Sequence, residues 1–229
     1  MRHRERLPNR GPAIVAANHN SHLDTVALLS LFPLEDIPHV RPVAAADYFM
    51  KPGFMRWFSL NVIGIIPVAR GGVAAGIDPL EECYRALERG EILLIFPEGT
   101  RSETGVMADF KPSLGYLAMQ NKCGILPMYL HRTHDAMPKG RYLPKRGERV
   151  AAYVGPYLPY EQILKLAGER TRSAQYRAIT HDVEATIRRL APHEAAWTLG
   201  EAGTTPMAEW LESQGRGEDT ANTDEETHA

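Results

Sequence analysis

The sequence predicts an α/β fold, in which a single domain holds a largely parallel central sheet flanked by helices. Short apolar runs of strand length alternate with stretches that have apolar residues at helical spacing. The chain has 229 residues, 44% of them hydrophobic and 24% charged, which suffices for one sizeable core and gives little reason to expect a second. Alternation of this kind favours parallel strands with helices on both faces.

Six short apolar runs are predicted to be the strands. In chain order they are AIVAA, VRPVAA, NVIGII, EILLIF, ILPMYL and VAAYVG, at 13–17, 40–45, 61–66, 91–96, 125–130 and 150–155. Helical spacing between most of these runs predicts helices over about 21–32, 47–60, 77–89 and 112–121, and a long one over about 161–190. Strand and helix therefore alternate along most of the chain.

The predicted helix over 77–89 has the clearest boundaries. Asp78 can cap it, Pro79 suits its first turn, Glu81 follows three residues after the cap, and Gly90 ends it. Four side chains then share one apolar face of the helix: Ile77, Leu80, Tyr84 and Leu87.

The helical and strand patterns fade near the C-terminus, from about residue 192. We therefore expect one domain over 1–191 and a C-terminal extension over 192–229. The last segment, 213–229, has one Arg against five Asp and Glu residues, a charge of −4 with His neutral. Such a composition is typical of a disordered, solvated tail.

Charge and cysteine content exclude several classes of protein. Lys and Arg total 26 against 28 Asp and Glu, and a net charge of −2 argues against a nucleic-acid partner. Cys83 and Cys123 are far apart and form no CxxC motif, so they are expected to be reduced thiols of a cytoplasmic protein. No apolar run approaches the roughly 20 residues that span a bilayer, and no signal-type core follows the basic start.

A polar segment, NHNSHLD at 18–24, separates the first predicted strand from the first helix. It places His19 and Asp24 five residues apart. One interpretation makes His19 a neutral general base and Asp24 the acceptor of its other imidazole N–H, which fixes the tautomer and stabilises the imidazolium. A second, purely structural interpretation makes Ser21 the helix cap and Asp24 the end of an S-x-x-D capping box, with Asn18 in the turn.

A third interpretation treats His19, His22 and Asp24 as metal ligands of a hydrolase. The hydrolytic zinc pattern for comparison is H-x-H-x-D-H, whereas this segment is H-x-x-H-x-D followed by Thr25. The first spacing and the last ligand both differ, so the sequence predicts no metal site.

Two further polar clusters follow predicted strands. Arg70 follows the strand over 61–66, and PEGTRS follows the strand over 91–96. If these strands are parallel, all three clusters lie at one edge of the sheet, where open α/β sheets bind ligands.

Four motifs carry a resemblance to a known family. NHNSHLD (18–24), GIIPVAR (64–70), FPEGTRS (96–102) and ILPMYL (125–130) resemble, in this order, the four conserved blocks of the glycerolipid acyltransferase family, of the lysophosphatidic acid acyltransferase type. The resemblance covers roughly residues 8–160. It implies the glycerolipid acyltransferase fold, and an acyltransferase domain over 1–191.

The resemblance also implies an activity. It is the transfer of a fatty acyl group from acyl-CoA or an acyl carrier protein thioester to a hydroxyl of a glycerolipid, with 1-acylglycerol-3-phosphate as the leading acceptor and phosphatidic acid as its product. The family's base and its orienting carboxylate correspond to His19 and Asp24, and no cofactor beyond the thioester donor is implied. The residues implied in the acceptor region are Arg70, Glu98, Gly99, Thr100 and Arg101.

Other functions stay open at this point. The acceptor can instead be a non-glycerolipid hydroxyl or an amine, or the chain can be a catalytically silent acyl-lipid binding module. A serine esterase is disfavoured, because KPSLG at 111–115 has Lys where a G-x-S-x-G elbow needs its first Gly. Family members commonly carry a membrane-associating segment upstream, whereas the first predicted strand of this chain, at 13–17, lies close to Met1. We therefore expect a shorter relative, a piece of a longer fusion protein or a misplaced start.

Two stretches predict contact with an anionic membrane. Residues 46–60 combine aromatic and basic side chains, and residues 131–150 hold six Lys or Arg against two acids. Such residues suit peripheral binding at the cytoplasmic face of the membrane. The alternatives are that the aromatic residues are core, and that the basic residues are a solvated loop or meet CoA phosphates.

Overall fold

The computed structural model of the chain describes residues 4–46, 57, 60–61, 63–69, 78–138, 140–141 and 143–192. Six strands are found in these ranges: β1 (Ala13–Ala17), β2 (Val40–Ala45), β3 (Ile66–Val68), β4 (Ile92–Ile95), β5 (Gly124–His131) and β6 (Ala151–Val154). They form one sheet in the order β3-β2-β4-β1-β5-β6.

The sheet is parallel except at one edge. β1 lies at its centre between β4 and β5 and runs parallel to both, while β2 is parallel to β3 and β4. Among the strands in the described ranges, only β6 is antiparallel, and it pairs with β5. All five residues of β1 are buried, as expected for a strand with both faces covered. The predicted α/β domain with a largely parallel sheet is confirmed.

Helices cover both faces of the sheet. They are α1 (Leu23–Leu29), α2 (Glu81–Glu88), α3 (Ser113–Gln120), α4 (Thr133–Ala136), α5 (Tyr160–Ala167) and α6 (Arg172–Leu190), with short 3-10 turns at Arg4–Arg6 and Ile37–His39. On β1, Ile14 and Ala16 face a cluster that includes apolar residues of α2, α3, α5 and α6. Ala13, Val15 and Ala17 face the opposite cluster, to which α1 contributes. Alternation along a strand thus divides the core into two layers.

Two predicted elements are wrong in the structure. The third strand is not at 61–66: Asn61 is helical, Gly64 has φ +72°, and the strand begins only at Ile66. Apolar content alone does not separate a helix end and a turn from a strand. The long helix over 161–190 is two helices, because Gly168 ends α5 with φ +57° and Thr171 precedes α6.

Other helices are confirmed with shorter bounds. The helix expected at 21–32 occupies Leu23–Leu29, and the one expected at 77–89 occupies Glu81–Glu88. Asp78 acts at the start of α2, since its Oδ1 accepts the Leu80 N–H at 2.9 Å. Leu87 of the predicted apolar face is buried in the core.

Some predictions fall outside the described residues. They include nearly all of the helix expected at 47–60, of which Trp57 and Leu60 are described as helical, and all of 193–229 with the predicted acidic tail. The domain boundary at 191 therefore stays a prediction. Within the described part of the chain, no helix is both long and apolar enough to cross a membrane.

Candidate active site

The sheet brings two of the three predicted polar clusters together. β1 and β4 are parallel neighbours, with Ala16 opposite Ile95, so residues 18–24 and 96–102 leave the sheet at the same edge. The third cluster is not tested in this way, because Arg70 lies outside the described residues. β3, which precedes Arg70, is separated from β4 by β2.

His19 and Asp24 form a hydrogen-bonded pair at this edge. His19 Nδ1 lies 2.9 Å from Asp24 Oδ2, and Asp24 is fully buried. The same Oδ2 accepts the backbone N–H groups of Asn20 at 2.6 Å and Ser21 at 2.7 Å. These two donors fix the position of the carboxylate. One carboxylate oxygen therefore orients the imidazole and also binds the backbone that leads into α1. A catalytic and a structural role of Asp24 are therefore compatible, although the N-cap of α1 is His22 and not Ser21, as the capping-box interpretation had it.

The imidazole of His19 is held on a second side by an aromatic ring. It stacks on Phe96, with ring centroids 4.1 Å apart and an angle of 15° between the planes. The side chain keeps 18% of its surface exposed. No hydrogen bond joins its Nε2 to any part of the chain that the structure describes. Nε2 is thus the nitrogen available to a substrate hydroxyl.

Glu98 fixes the backbone of His19. Its Oε1 accepts the His19 N–H at 2.6 Å and its Oε2 accepts the Ala108 N–H at 2.7 Å. The Ser102 N–H donates to the His19 carbonyl at 2.9 Å, so both the N–H and the C=O of His19 are held by hydrogen bonds. Burial raises the pKa of Glu98, and the two backbone hydrogen bonds oppose that rise. This geometry makes Glu98 a positioning residue, while the acceptor role implied by resemblance stays a prediction.

Two other side chains tie the turn at residues 18–22 to distant segments. The Asn18 amide donates to the Leu130 carbonyl at 3.0 Å and accepts the Leu130 N–H at 2.7 Å, which extends the β1–β5 ladder beyond Ala17. The Ser21 hydroxyl donates to the Met137 carbonyl at 2.5 Å. Sequence reasoning missed both contacts, because their partners are 112 and 116 positions away. Phe96 was also missed, although it ends the apolar run that precedes the polar cluster.

Cationic groups lie beside the segment 99–101. Nη1 of Arg101 is buried and has no hydrogen-bond partner among the described residues. Gly99 has φ +72°, and a Cβ at this position would collide with the ammonium group of Lys111. Lys111 therefore packs against the glycine and is a further cation of this edge that sequence reasoning did not single out. Thr100 is exposed at the same turn.

His22 occupies a setting that does not suit a metal ligand. Burial and the neighbouring Arg101 guanidinium lower the pKa of His22. The positive charge of the neighbouring guanidinium also opposes the binding of a metal cation. Within the described ranges, no three His, Cys, Asp or Glu side chains come together as a metal site would require.

Comparison with known proteins gives one consistent family. The model of the family described as Acyltransferase matches residues 1–131. The chain is 31% identical, over 59% of its own length and 36% of the relative, to a chloroplastic 1-acyl-sn-glycerol-3-phosphate acyltransferase of Arabidopsis thaliana. It is 29% identical, over 83% of its length and 56% of the relative, to a 1-acyl-sn-glycerol-3-phosphate acyltransferase of Chlamydomonas reinhardtii.

A solved structure has the same fold. The 1-acyl-sn-glycerophosphate (LPA) acyltransferase PlsC from Thermotoga maritima matches with a TM-score of 0.59, covering 81% of this chain and 69% of that chain at 22% identity. This chain spans between 36% and 50% of the length of the first three curated relatives that it matches.

Proposed function

Since the chain belongs to the acyltransferase family, we propose that it transfers a fatty acyl group from acyl-CoA or acyl carrier protein to a glycerolipid hydroxyl. The acceptor that we propose is 1-acylglycerol-3-phosphate, and the product is phosphatidic acid. The relatives named as 1-acyl-sn-glycerol-3-phosphate acyltransferases support this choice. The observation that carries the proposal is the His19–Asp24 pair, with Nδ1 bonded to a buried carboxylate and Nε2 left for substrate.

The proposed reaction uses His19 first as a base and then as an acid. Nε2 takes the proton of the acceptor hydroxyl while the hydroxyl oxygen attacks the thioester carbonyl carbon. Asp24 stabilises the imidazolium that forms. The tetrahedral intermediate expels the thiolate, whose conjugate acid has a pKa of about 8.5, and the imidazolium returns the proton to that sulfur. No acyl-enzyme is needed, because the thioester is already activated.

Arg101 supports a phosphate-bearing acceptor. A guanidinium group with a buried, unpartnered Nη1 is suited to donate a charge-assisted hydrogen bond to an incoming anion. We propose that Arg101 and Arg70 hold the acceptor phosphate, that Gly99 and Thr100 line its approach, and that Glu98 contributes by fixing the turn. No cofactor beyond the thioester donor takes part in this scheme.

We also propose peripheral contact with an anionic membrane at its cytoplasmic face. The segment that follows β5 is attached to the turn at residues 18–22 by the Ser21–Met137 hydrogen bond. Within this segment, the Lys145 N–H donates to the Ala136 carbonyl at 2.8 Å. Leu143 of this segment is 75% exposed. Exposed basic residues lie on both sides of it in the sequence: Arg141, Lys145, Arg146 and Arg149. An apolar tip among cations is suited to lipid headgroups, and its position beside the site would bring the acceptor to His19.

An acceptor screen tests the proposed activity. Purified protein is given acyl-CoA or acyl carrier protein thioester with 1-acylglycerol-3-phosphate, other lysolipids, simple alcohols or amines, and thiol release and product mass are measured. We expect thiol release that depends on 1-acylglycerol-3-phosphate and a product of phosphatidic acid mass. Acceptor-independent release or loss of activity with a chelator would replace the proposal with a hydrolase. Acyl-lipid binding with no turnover would indicate a silent module.

Vesicle co-sedimentation tests the membrane contact. We expect the protein to pellet with anionic vesicles at low salt and to be released at high salt, because surface attraction is screened. Replacement of Arg141, Lys145 and Arg146 by Gln should weaken this binding. Equal recovery in the supernatant with anionic and neutral vesicles would contradict the proposal.

A further inference from the structure

The loop of residues 107–110, called here the clamp loop, lies between the PEGTRS segment and α3. Its Ala108 N–H donates to Glu98 Oε2 at 2.7 Å, and Glu98 Oε1 accepts the His19 N–H at 2.6 Å. The clamp loop is therefore two hydrogen bonds away from the backbone of the proposed base. Loss of the Ala108 hydrogen bond would remove one of the two backbone contacts that hold the Glu98 carboxylate.

Helix α6 holds the other side of the clamp loop. Glu184 Oε2 accepts the Phe110 N–H at 2.9 Å. Arg188 donates to the Met107 carbonyl at 3.3 Å and to Glu184 Oε1 at 2.8 and 3.0 Å. The Glu184 side chain is 13% exposed. Burial acts to raise its pKa, but the Phe110 N–H and Arg188 together outweigh burial, so the pKa is lowered. Two side chains of one helix thus fix both ends of the loop.

From this chain of contacts we infer that Glu184, supported by Arg188, is a positioning residue for the acyl transfer. It holds the clamp loop against Glu98 and thereby fixes the backbone of His19. The inference rests on the proposed function. It assigns a role in the reaction to a helix that begins 41 residues after the family match ends, since that match stops at residue 131 and α6 begins at Arg172.

Other contacts hold α6 in place without Glu184. Ile179, Val183 and Ile187 are fully buried in the core. Thr180 Oγ1 accepts the Gly115 N–H at 3.1 Å and so ties the helix to α3. Loss of the Glu184 carboxylate should therefore free the clamp loop and leave the helix packed, so its effect should be seen in turnover more than in folding.

Glu184 variants and a neighbouring control give the test. Glu184→Ala should lower kcat about ten- to hundredfold, since misplacement of a catalytic group by about 1 Å can cost 10²-fold, and should leave both KM values within about twofold. Glu184→Gln keeps an oxygen for the Phe110 N–H but turns its NH₂ group toward Arg188, which can only donate, so it should recover only part of the loss. Arg189→Ala, whose side chain bonds only Thr186 of the same helix among the described residues, should match the wild type.

A second measurement does not depend on turnover. The backbone amide resonance of His19 reports its hydrogen bond to Glu98, so Glu184→Ala should shift it, while Arg189→Ala should not. An unchanged kcat together with an unchanged resonance would overturn the inference, as would a loss confined to KM. If Glu184→Ala does not fold, Glu184→Gln decides by its kcat and its amide shift. A wild type without transferase activity would refute the proposed function, and the amide shift would still test the positioning.

Discussion

Replacement of Asp24 by Asn tests how the buried carboxylate supports His19. In the wild type, Oδ2 accepts three hydrogen bonds, from the His19 ring and from the Asn20 and Ser21 N–H groups, whereas Oδ1 is buried without a partner among the described residues. The two backbone donors require the amide oxygen of Asn at the Oδ2 position. Its NH₂ group then occupies the Oδ1 position, which makes no hydrogen bond with the described residues in the wild type.

The expected magnitudes follow from this orientation. The three hydrogen bonds to Oδ2 lose their charge assistance when a neutral amide oxygen accepts them, which costs about 1–3 kcal/mol of stability and corresponds to a fall in Tm of about 2–12 °C for a protein of this size. The amide oxygen still accepts the Nδ1 proton, so the tautomer is kept, but the negative charge that stabilises the imidazolium is lost. We expect kcat to fall about 10²-fold, roughly 2.7 kcal/mol, near the lower end of the range for general-base catalysis.

Initial rates of thiol release and thermal unfolding monitored by circular dichroism would measure the two effects. Asp182→Asn is the matched control, because this half-exposed carboxylate of α6 makes no ion pair with the described residues, and it should leave both quantities unchanged. Retention of half or more of the wild-type kcat by Asp24→Asn would refute the role assigned to the carboxylate. An unchanged Tm would refute the contribution to stability assigned to the charge on Oδ2.

Four further predictions concern the other side chains of the site. His19→Ala should lower kcat by about 10²- to 10⁴-fold, whereas His22→Ala should have a much smaller effect in the same assay; equal losses would favour the metal interpretation. Glu98→Gln should lower kcat more than it changes the acceptor KM, because the single amide oxygen can accept only one of the two backbone N–H groups, and steady-state kinetics measure both. Arg101→Lys should raise the acceptor KM about tenfold with little change for the donor, since lysine keeps the charge but loses the planar fork. The pKa of His22 is lowered in the folded state, so the unfolded wild-type chain binds the proton more readily, and Tm should fall as pH drops through the ordinary histidine pKa of about 6.5. His22→Gln removes this titrating group and should make that fall in Tm smaller.

The parts of the site that the sequence predicted are those with local signals. His19 and Asp24 are five residues apart at a strand-to-helix transition, and their hydrogen bond is formed within that one turn. Residues 96–101 follow a fully buried strand, and the parallel pairing of β1 with β4 was enough to bring them to the same edge. Short-range patterns were sufficient wherever the partners were close in sequence or joined by strand pairing.

The remaining contacts depend on packing that no local pattern encodes. The hydrogen bond from the His19 N–H to Glu98 joins residues 79 positions apart, and the one from the Phe110 N–H to Glu184 joins residues 74 positions apart. The break at Gly168 was hidden because apolar residues continue at helical spacing on both sides of it. Similarly, NVIGII is apolar throughout, so composition could not show that its strand begins only at Ile66.

The hydrogen bonds that fix His19 have a consequence for the order of events during protein synthesis. Glu98 and Ala108 emerge from the ribosome long after His19, and Glu184 emerges later still. At about 5–20 residues per second, the interval from His19 to Glu184 is roughly 8–33 s. A nascent chain already exposes the histidine during this time but lacks the groups that align it. We therefore expect acyl transfer to begin only after Glu184 has emerged and α6 has folded, and a chain released from the ribosome before α6 is made to be inactive.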